Sequence, residues 1–274
     1  MATTVWVPGH VTGLFTVDRA EDPARTGSRG AGFTLADGVS VTVDPDRDRE
    51  VSLDGEPSEI AAVSHVLDQL RVQAAVAVTT ELPIGRGFGL SGAMALGTAL
   101  AANEALGLDY TENELIRVAH VADVEAGTGL GDVVAQARGG IVLRLAPGAP
   151  SHGRLDGIPA EGRVELLALG ELSTPSILEE RPERITAAGE QALQRIERTP
   201  TRAEFVRAAR EFTDAVGLAT ERVSDVLDAV AANGDQAAMA MLGETVFAFG
   251  TALSDAGYDP QVSAVDPCGP RRRE

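Results

Sequence analysis

Three glycines at alternate positions, Gly85, Gly87 and Gly89, stand just before an alanine-rich segment, and Ser91 follows them. Glycine adopts positive φ at little cost, so the backbone here can turn sharply and come close to a ligand. The first N–H groups of a helix lack partners within the helix, and its dipole favours an anion there. The spacing therefore predicts a phosphate-binding turn. The alternative is a glycine-rich connection that binds nothing, because glycine motifs often match by chance.

Two other nucleotide-binding motifs do not fit this segment. A P-loop has a lysine after its glycines, and the chain contains no lysine. A dinucleotide-binding turn needs a third glycine at a longer spacing than Gly85–Gly89 provides. Ser91 can cap the helix or offer its hydroxyl to Mg²⁺. We assign to the nucleotide Pro83, Gly85, Arg86, Gly87, Phe88, Gly89, Leu90, Ser91, Gly92 and Ala93.

A second candidate for chemistry is Asp132, which follows the glycine-rich stretch Gly127–Gly131. At the start of a short helix beside the phosphate turn, its carboxylate can orient or deprotonate an alcohol. Aspartate is also a good helix N-cap, and position alone favours that structural role. The residue type and its place leave both roles open.

These residues need a framework of a strand, a turn and a helix. Ala74–Thr79 alternates in the way typical of a strand, and Ser91–Leu106 predicts a helix that Gly107 ends. Early strands followed by late helices predict an α+β fold, and the Pro- and Gly-rich segment Pro147–Pro159 divides it into domains 1–150 and 151–274. Other predicted strands are Thr4–Val7, Leu14–Val17, Ala31–Leu35, Val39–Val43, Gly139–Leu145 and Arg163–Leu169; other predicted helices are Pro57–Leu70, Thr111–Glu125, Pro182–Arg198, Thr201–Val216, Arg222–Ala232 and Asp235–Met241.

The charge of the chain limits its partners. Its 274 residues carry a formal net charge of -18, and every basic side chain apart from histidine is an arginine. Such a surface repels nucleic acids and anionic membranes. The acids are spread along the chain, which favours adaptation to high salt over an acidic tail, so we expect a halophilic source. One cysteine and no secretory signal favour a cytoplasmic protein, and the sequence leaves a homodimer open.

The phosphate turn resembles the second motif of the GHMP kinases, the superfamily of galactokinase, homoserine kinase and mevalonate kinase. That motif runs Pro, three residues, Gly-Leu-Gly-Ser-Ser-Ala. Matching residues are Pro83, Gly87, Gly89, Ser91 and Ala93; departures are Phe88, Leu90 and Gly92. Four further segments resemble the pantoate kinases of archaea, namely Pro8–Gly13, Gly27–Gly32, Thr128–Gln136 and Ala240–Phe247. A glycine-rich third motif near the C-terminus is missing, and Met239–Gly243 is its nearest replacement.

This resemblance implies a two-lobed α+β fold with a ribosomal-protein-like N-terminal lobe and a C-terminal helical, ferredoxin-like lobe. It implies Mg·ATP as phosphate donor and (R)-pantoate as acceptor, giving 4-phosphopantoate on the way to coenzyme A in archaea. The alternatives are a mevalonate or homoserine kinase, a kinase-like sensor that performs no chemistry, and a dinucleotide-dependent oxidoreductase.

The resemblance also assigns roles to single residues. Asp132 takes the place of the carboxylate that faces the substrate hydroxyl. With no lysine to assist it, positioning and electrostatics are expected to dominate, as phosphoryl transfer permits. Ser91 and one carboxylate, Asp123 or Glu125, are expected to bind Mg²⁺, although acids on a helix are more often solvated. Residues expected to bind the acceptor are His10, Thr12, Ser28 and Arg29, with Arg138 a second choice for the acceptor carboxylate; for Arg29 a surface ion pair is the alternative.

Overall fold

The computed structural model describes residues 1–170, 182–241 and 243–273. Its strands are β1 Thr3–Phe15, β2 Gly30–Asp44, β3 Val51–Leu53, β4 Glu56–Pro57, β5 Ala75–Thr80, β6 Ile141–Ala146, β7 Arg154–Ile158, β8 Arg163–Gly170, β9 Ala238–Ala240, β10 Glu244–Phe249, β11 Gln261–Ala264 and β12 Arg271–Arg273. Its helices are α1 Ala61–Leu70, α2 Leu90–Leu106, α3 Glu112–Glu125, α4 Asp132–Arg138, α5 Pro182–Arg198, α6 Arg202–Val216, α7 Glu221–Ala232 and α8 Ala252–Asp255.

The first sheet is built around β1 and β2, which pair antiparallel over most of their length. The sheet runs in the order β12-β1-β2-β5-β3-β4. Because β2 is long, it pairs with β5 along residues 39–44 and with β6 along residues 30–33, and β7 extends the sheet from β6. The pairing of β1 shifts register twice, near His10 and near Thr12. The irregular middle of β1 therefore carries two of the predicted acceptor residues.

Helix α2 packs against this sheet and is buried on nearly all sides of its first three turns. Alanine and glycine make that possible, because only small side chains let a helix lie so close to a sheet. A β-carbon on Gly97 would lie 2.6 Å from Cγ2 of Val41 on β2. This packing fixes the N-terminus of α2, and with it Ser91, relative to β1 and β2.

The second sheet, in the order β11-β8-β10-β9, meets the first through aromatic side chains. The ring of Phe33 on β2 lies 5.1 Å, centre to centre, from Phe247 and also from Phe249 on β10. Phe205 of α6 stacks on Phe247 at 5.9 Å. All but Phe249 among these rings are buried, so the two sheets share one hydrophobic core.

Several predicted elements differ from the structure. The predicted helix Asp235–Met241 is wrong: residues 238–240 form β9, because pairing with β10 outweighs the helix propensity of an Ala–Met run. The predicted strands Thr4–Val7 and Leu14–Val17 are one strand, β1, and the predicted loop Pro147–Pro159 contains β7.

Other parts of the sequence-based fold agree with the structure. The mixed α/β architecture is confirmed, and α5 covers the predicted range Pro182–Arg198. The division at residue 150 stays a prediction, although β7 and β12 lie beyond it and pair with strands that precede it. Within the described residues, no helix has the length and the apolar composition needed to cross a bilayer.

Candidate active site

The phosphate turn connects β5 to α2 and is shaped by its alternate glycines. Gly85, Gly87 and Gly89 have φ of 77°, 84° and 61°, a region that other residues enter only with strain. Gly89 is the residue immediately before α2. Successive N–H groups in such a turn form a concave site for anions, and the dipole of a 17-residue helix adds to it. The backbone therefore has the glycine conformations and the helix start that the predicted cradle needs, and phosphate binding stays a prediction.

Three carbonyl groups of the turn are held by the rest of the protein. Each of the three accepts a hydrogen bond from a different element, which directs it away from a bound phosphate. The bonds are Thr245 Oγ1 to Arg86 O at 2.9 Å, His10 N to Phe88 O at 2.9 Å, and Gln136 Nε2 to Gly89 O at 2.8 Å. The turn is thereby tied to β1, α4 and β10 at once.

The turn between β9 and β10 lies directly against the phosphate turn. A β-carbon on Gly243 would collide with the carbonyl of Arg86, and one on Gly87 would lie 3.0 Å from the carbonyl oxygen of Met241. The sequence prediction named Met239–Gly243 as the replacement for a missing glycine-rich motif; Leu242 of that segment lies outside the described residues. The neighbouring residues of this segment do reach the phosphate turn.

Three side-chain oxygens form a chain beside the first turn of α2. Ser91 Oγ lies 2.7 Å from Thr128 Oγ1, which donates to Asp123 Oδ1 at 2.7 Å. Asp123 is only 2% exposed. Burial and the nearby charge of Asp132 raise the pKa of Asp123 to about 6, although hydrogen bonds from Thr128 and Ser91 oppose them. Glu125, the other predicted metal ligand, instead lies on the outer surface near His65, 3.7 Å away.

The carboxylate of Asp132, at the start of α4, is hydrogen-bonded by one buried basic group, His10, and lies in the field of a second, Arg144. Its Oδ1 lies 2.7 Å from Nδ1 of His10, which is fully buried. Burial alone would raise the pKa of Asp132, but the hydrogen bond from His10 and the charge of Arg144 outweigh it and hold that pKa below its usual value. Burial likewise lowers the pKa of His10. A neutral His10 therefore donates through Nδ1 to an ionised Asp132 at neutral pH.

Arg144 is a candidate site residue that sequence reasoning missed. It lies on β6, is 2% exposed, and its Nε and Nη1 atoms have no hydrogen-bond partner within the described residues. A buried guanidinium without hydrogen-bond acceptors is costly, so the site favours an anion that can supply them. The signal in the sequence is an arginine inside the apolar run Ile141–Leu145 of a predicted strand.

Two cavities meet at Asp132. The first, which we call the acceptor cavity, is lined by Thr12, Phe15, Arg19, Ser28, Val124, Gly127, Thr128, Gly129, Leu130, Gly131, Asp132 and Arg144. The second lies over the phosphate turn, from Ile84 to Ser91, and it also includes Thr12, Thr128 and Asp132. A ligand in either cavity can therefore contact the Asp132 carboxylate, which lines both.

Comparison with known proteins agrees with this geometry. The sequence profile of the GHMP kinases N terminal domain matches residues 59–140. A pantoate kinase of Methanocaldococcus jannaschii is 30% identical over 250 residues, which cover 89% of this chain and 91% of that protein. One of Thermococcus kodakarensis is 33% identical over 266 residues, covering 90% and 87% of the two chains. The chain belongs to the GHMP kinase family.

A solved structure supports the same family membership over the whole GHMP kinase fold. It is a phosphotransferase described as related to the CoA biosynthesis pathway, and it matches with a TM-score of 0.88 at 28% identity. The match covers 100% of this chain and 99% of that one. The similarity is therefore not confined to the scattered motifs and includes both sheets.

The predicted acceptor residues of this GHMP kinase lie in different places. Thr12 and Ser28 line the acceptor cavity, and His10 lies behind it, hydrogen-bonded to Asp132. Arg29 does not line it: its guanidinium binds Glu190 at 2.6 Å, and Asp18 at 3.4 Å. Arg138 is exposed at the end of α4 and lines a separate hollow. The roles of these residues stay predictions.

The oxygen chain Ser91–Thr128–Asp123 fits a magnesium ion. Mg²⁺ takes oxygen ligands at short range, keeps several waters and shares substrate phosphates. Within residues 1–170, 182–241 and 243–273, no group of three His, Cys, Asp or Glu side chains is placed to hold a metal. Two hydroxyls and one buried carboxylate beside the phosphate cradle leave room for phosphate oxygens and water in the coordination sphere.

Proposed function

We propose that this chain transfers the γ-phosphoryl group of ATP to the C4 hydroxyl of (R)-pantoate, giving 4-phosphopantoate and ADP, a step toward coenzyme A. The observation that carries the proposal is the acceptor cavity, in which a buried arginine with unused donors lies beside an ionised aspartate. The names of the relatives, pantoate kinases at 30% and 33% identity over about nine tenths of the chain, support the same substrate.

Each chemical group of pantoate has a counterpart in the acceptor cavity. The carboxylate suits Arg144, whose planar guanidinium can bind both oxygens at once. The geminal methyl groups suit the apolar side chains of Phe15, Val124 and Leu130. The C2 hydroxyl suits the hydroxyl of Ser28 or Thr12. With these groups in place, the C4 hydroxyl is directed to Asp132.

In the transfer step, the C4 oxygen attacks the γ-phosphorus while the bond to the ADP oxygen breaks, and the hydroxyl proton leaves with Asp132 as its nearest acceptor. The low pKa of Asp132 makes it a weak base, so its main role is to orient the hydroxyl by accepting a hydrogen bond. A loose transition state tolerates this, because proton removal is late. The cradle N–H groups hold the phosphates in line.

Magnesium, when bound, neutralises charge on the phosphate oxygens and lowers the barrier to transfer. Ser91 and Asp123 are the ligands that we assign to it, and the residues of the cradle hold the nucleotide. His10 acts by keeping Asp132 ionised and fixed in orientation, since a neutral imidazole donates through Nδ1.

A coupled assay of ADP release tests the substrate. We expect turnover with (R)-pantoate and much less with the other two alcohols. Homoserine has the same carboxylate-to-hydroxyl spacing, but it carries an ammonium group at C2 and lacks the geminal methyl groups that suit the apolar lining. Mevalonate has one more carbon between its carboxylate and its primary hydroxyl. Asp132→Asn should abolish most turnover while the melting temperature stays close to that of the wild type. Turnover of homoserine or mevalonate in place of pantoate would contradict the proposal.

We also propose that the enzyme comes from a halophile, which the net charge of -18 and the absence of lysine support. At molar salt the screening length is about 3 Å, so repulsion among surface acids is weak there and strong in dilute buffer. The assay should therefore be run in both conditions. We expect the cooperative thermal unfolding transition to disappear after dialysis to low salt. An unchanged transition would contradict the proposal of a halophilic source.

A further inference from the structure

Thr128 lies between the two residues that we assign to the metal ion, and neither motif resemblance gives it a role. Its hydroxyl lies 2.7 Å from Ser91 Oγ and 2.7 Å from Asp123 Oδ1. It also lines both the acceptor cavity and the cavity over the phosphate turn. A residue in that position can affect the cation, the nucleotide and the acceptor, so the direction of its hydrogen bonds matters.

The direction of both hydrogen bonds follows from the chemistry of the three groups. An ionised carboxylate only accepts, so Thr128 donates its one hydroxyl hydrogen to Asp123. Having no second hydrogen, Thr128 must accept in its contact with Ser91, and Ser91 must donate. The single hydrogen of Ser91 is thereby directed toward Thr128 and the adjacent Asp123 carboxylate, which also accepts from Ser91, and the Ser91 lone pairs are left for the phosphate cradle.

A hydroxyl that presents lone pairs binds a cation, whereas one that presents hydrogen binds a phosphate oxygen. We propose that Thr128 is a positioning residue that fixes the Ser91 hydroxyl with its lone pairs toward the metal ion. This inference rests on the proposed function, because it assumes that Ser91 meets a magnesium–nucleotide complex. It goes beyond that function in one respect: a residue outside the phosphate turn, Thr128, makes Ser91 bind a cation in preference to a phosphate oxygen.

The backbone around Thr128 holds it in this position. The N–H of Thr128 donates to the carbonyl of Asp123 at 3.2 Å, which closes the end of α3. The next residue is Gly129, and a β-carbon there would collide with the Asp123 carboxylate. The backbone of residues 128 and 129 therefore packs closely around Asp123, and this places the Thr128 hydroxyl within hydrogen-bond distance of its carboxylate.

The test is Thr128→Val, which keeps the shape of the side chain and removes the hydroxyl. Binding of Mn²⁺ to the protein in the presence of ADP can be followed by electron paramagnetic resonance, and binding of ADP without metal by calorimetry. We expect roughly 10-fold weaker Mn²⁺ binding in Thr128→Val, the lower end for groups behind a metal ligand. Metal-free ADP binding should be unchanged, and Thr128→Ser should bind Mn²⁺ like the wild type.

A matched control is Thr42→Val, which removes a threonine–threonine hydrogen bond of 2.9 Å on β2, remote from the oxygen chain. It should leave both measurements unchanged. Wild-type Mn²⁺ affinity in Thr128→Val, or an equal loss of metal-bound and metal-free ADP binding, would overturn the inference while the proposed function stands. A wild-type protein that binds no Mn²⁺ with ADP would overturn both.

Discussion

The phosphate cradle and the acceptor cavity meet at Asp132 but are built in different ways. The cradle uses the backbone of consecutive residues, Gly85–Ser91, and its shape comes from their φ values and from one helix N-terminus. The acceptor cavity uses side chains from β1, α4 and β6, which only the tertiary fold brings together. A backbone site suits a ligand that every family member shares, while a side-chain site lets the acceptor change.

The largest effect should come from a substitution of Arg144. It tests whether the acceptor cavity can be disabled without weakening nucleotide binding in the cradle. Arg144→Met removes the cation proposed for the pantoate carboxylate and keeps an apolar side chain in its buried place. We expect kcat/KM for pantoate to fall by roughly 100- to 5,000-fold, the range for breaking one partner of a buried ion pair. Nucleotide affinity, measured by calorimetry, should not change.

Arg138→Gln is the matched control, because Arg138 is exposed outside the acceptor cavity. It should stay within twofold of the wild type, in line with about ±0.5 kcal/mol for surface changes. An equal loss of nucleotide affinity in Arg144→Met would show that the two regions are not separable.

The next effect concerns Asp123, on the cradle side. Asp123→Asn should weaken Mn²⁺ binding by roughly 100-fold, since a charged ligand is lost. The same change should stabilise the metal-free protein at neutral pH. Because the folded-state pKa is raised to about 6, the stability that Asp123 contributes is present below its unfolded pKa and is lost as pH rises through 6.

The difference in unfolding free energy between Asp123→Asn and the wild type should approach about 3 kcal/mol at pH 8, from 1.36 kcal/mol for each pKa unit. It should vanish below about pH 3, where the carboxyl is protonated in both folded and unfolded chains. Denaturant titrations with a chelator present measure it. A variant less stable than the wild type at pH 8 would contradict the assigned burial.

A smaller effect is expected from the turn itself. Gly87→Ala places a β-carbon at φ of 84° and 3.0 Å from the carbonyl oxygen of Met241. We expect roughly 10-fold weaker nucleotide binding, because a left-handed conformation costs about 1–2 kcal/mol and the turn relaxes away from it. Pantoate binding should be unchanged.

Gly107→Ala is its control, since Gly107 has φ of 63° at the end of α2 and open space around it. It should lower the melting temperature without affecting nucleotide affinity. Equal nucleotide affinities in the two variants would mean that the glycine turn does not bind the phosphates.

The smallest effect is expected from Arg19, an exposed residue of the acceptor cavity for which no ion pair is found within the described chain. In a protein of net charge -18, one cation there should assist the approach of an anionic acceptor. Arg19→Gln should raise the KM for pantoate about 3-fold at the lowest salt concentration that keeps the protein folded, and less at higher salt. Arg25→Gln, an exposed arginine near Asp22, should have no effect.

The difference between the two regions also explains what the sequence could predict. The turn, the start of α2 and the place of Asp132 follow from local spacing of glycines and a helix pattern, and the structure has them as predicted. Arg144 was missed because the sequence of its strand does not show which residues surround it. Those neighbours depend on the pairing of β6 with β2. Arg29 was chosen for its glycine neighbours, but its ion pair with Glu190 of α5 involves residues 161 positions apart.

The most direct test is a crystal structure of the protein with pantoate and a non-hydrolysable ATP analogue in the presence of Mg²⁺. We predict triphosphate oxygens on the N–H groups of Gly85–Ser91, the pantoate carboxylate within hydrogen-bond distance of Arg144, and the C4 hydroxyl beside Asp132. A carboxylate bound at Arg29 or Arg138, with Arg144 left without an acceptor, would contradict it.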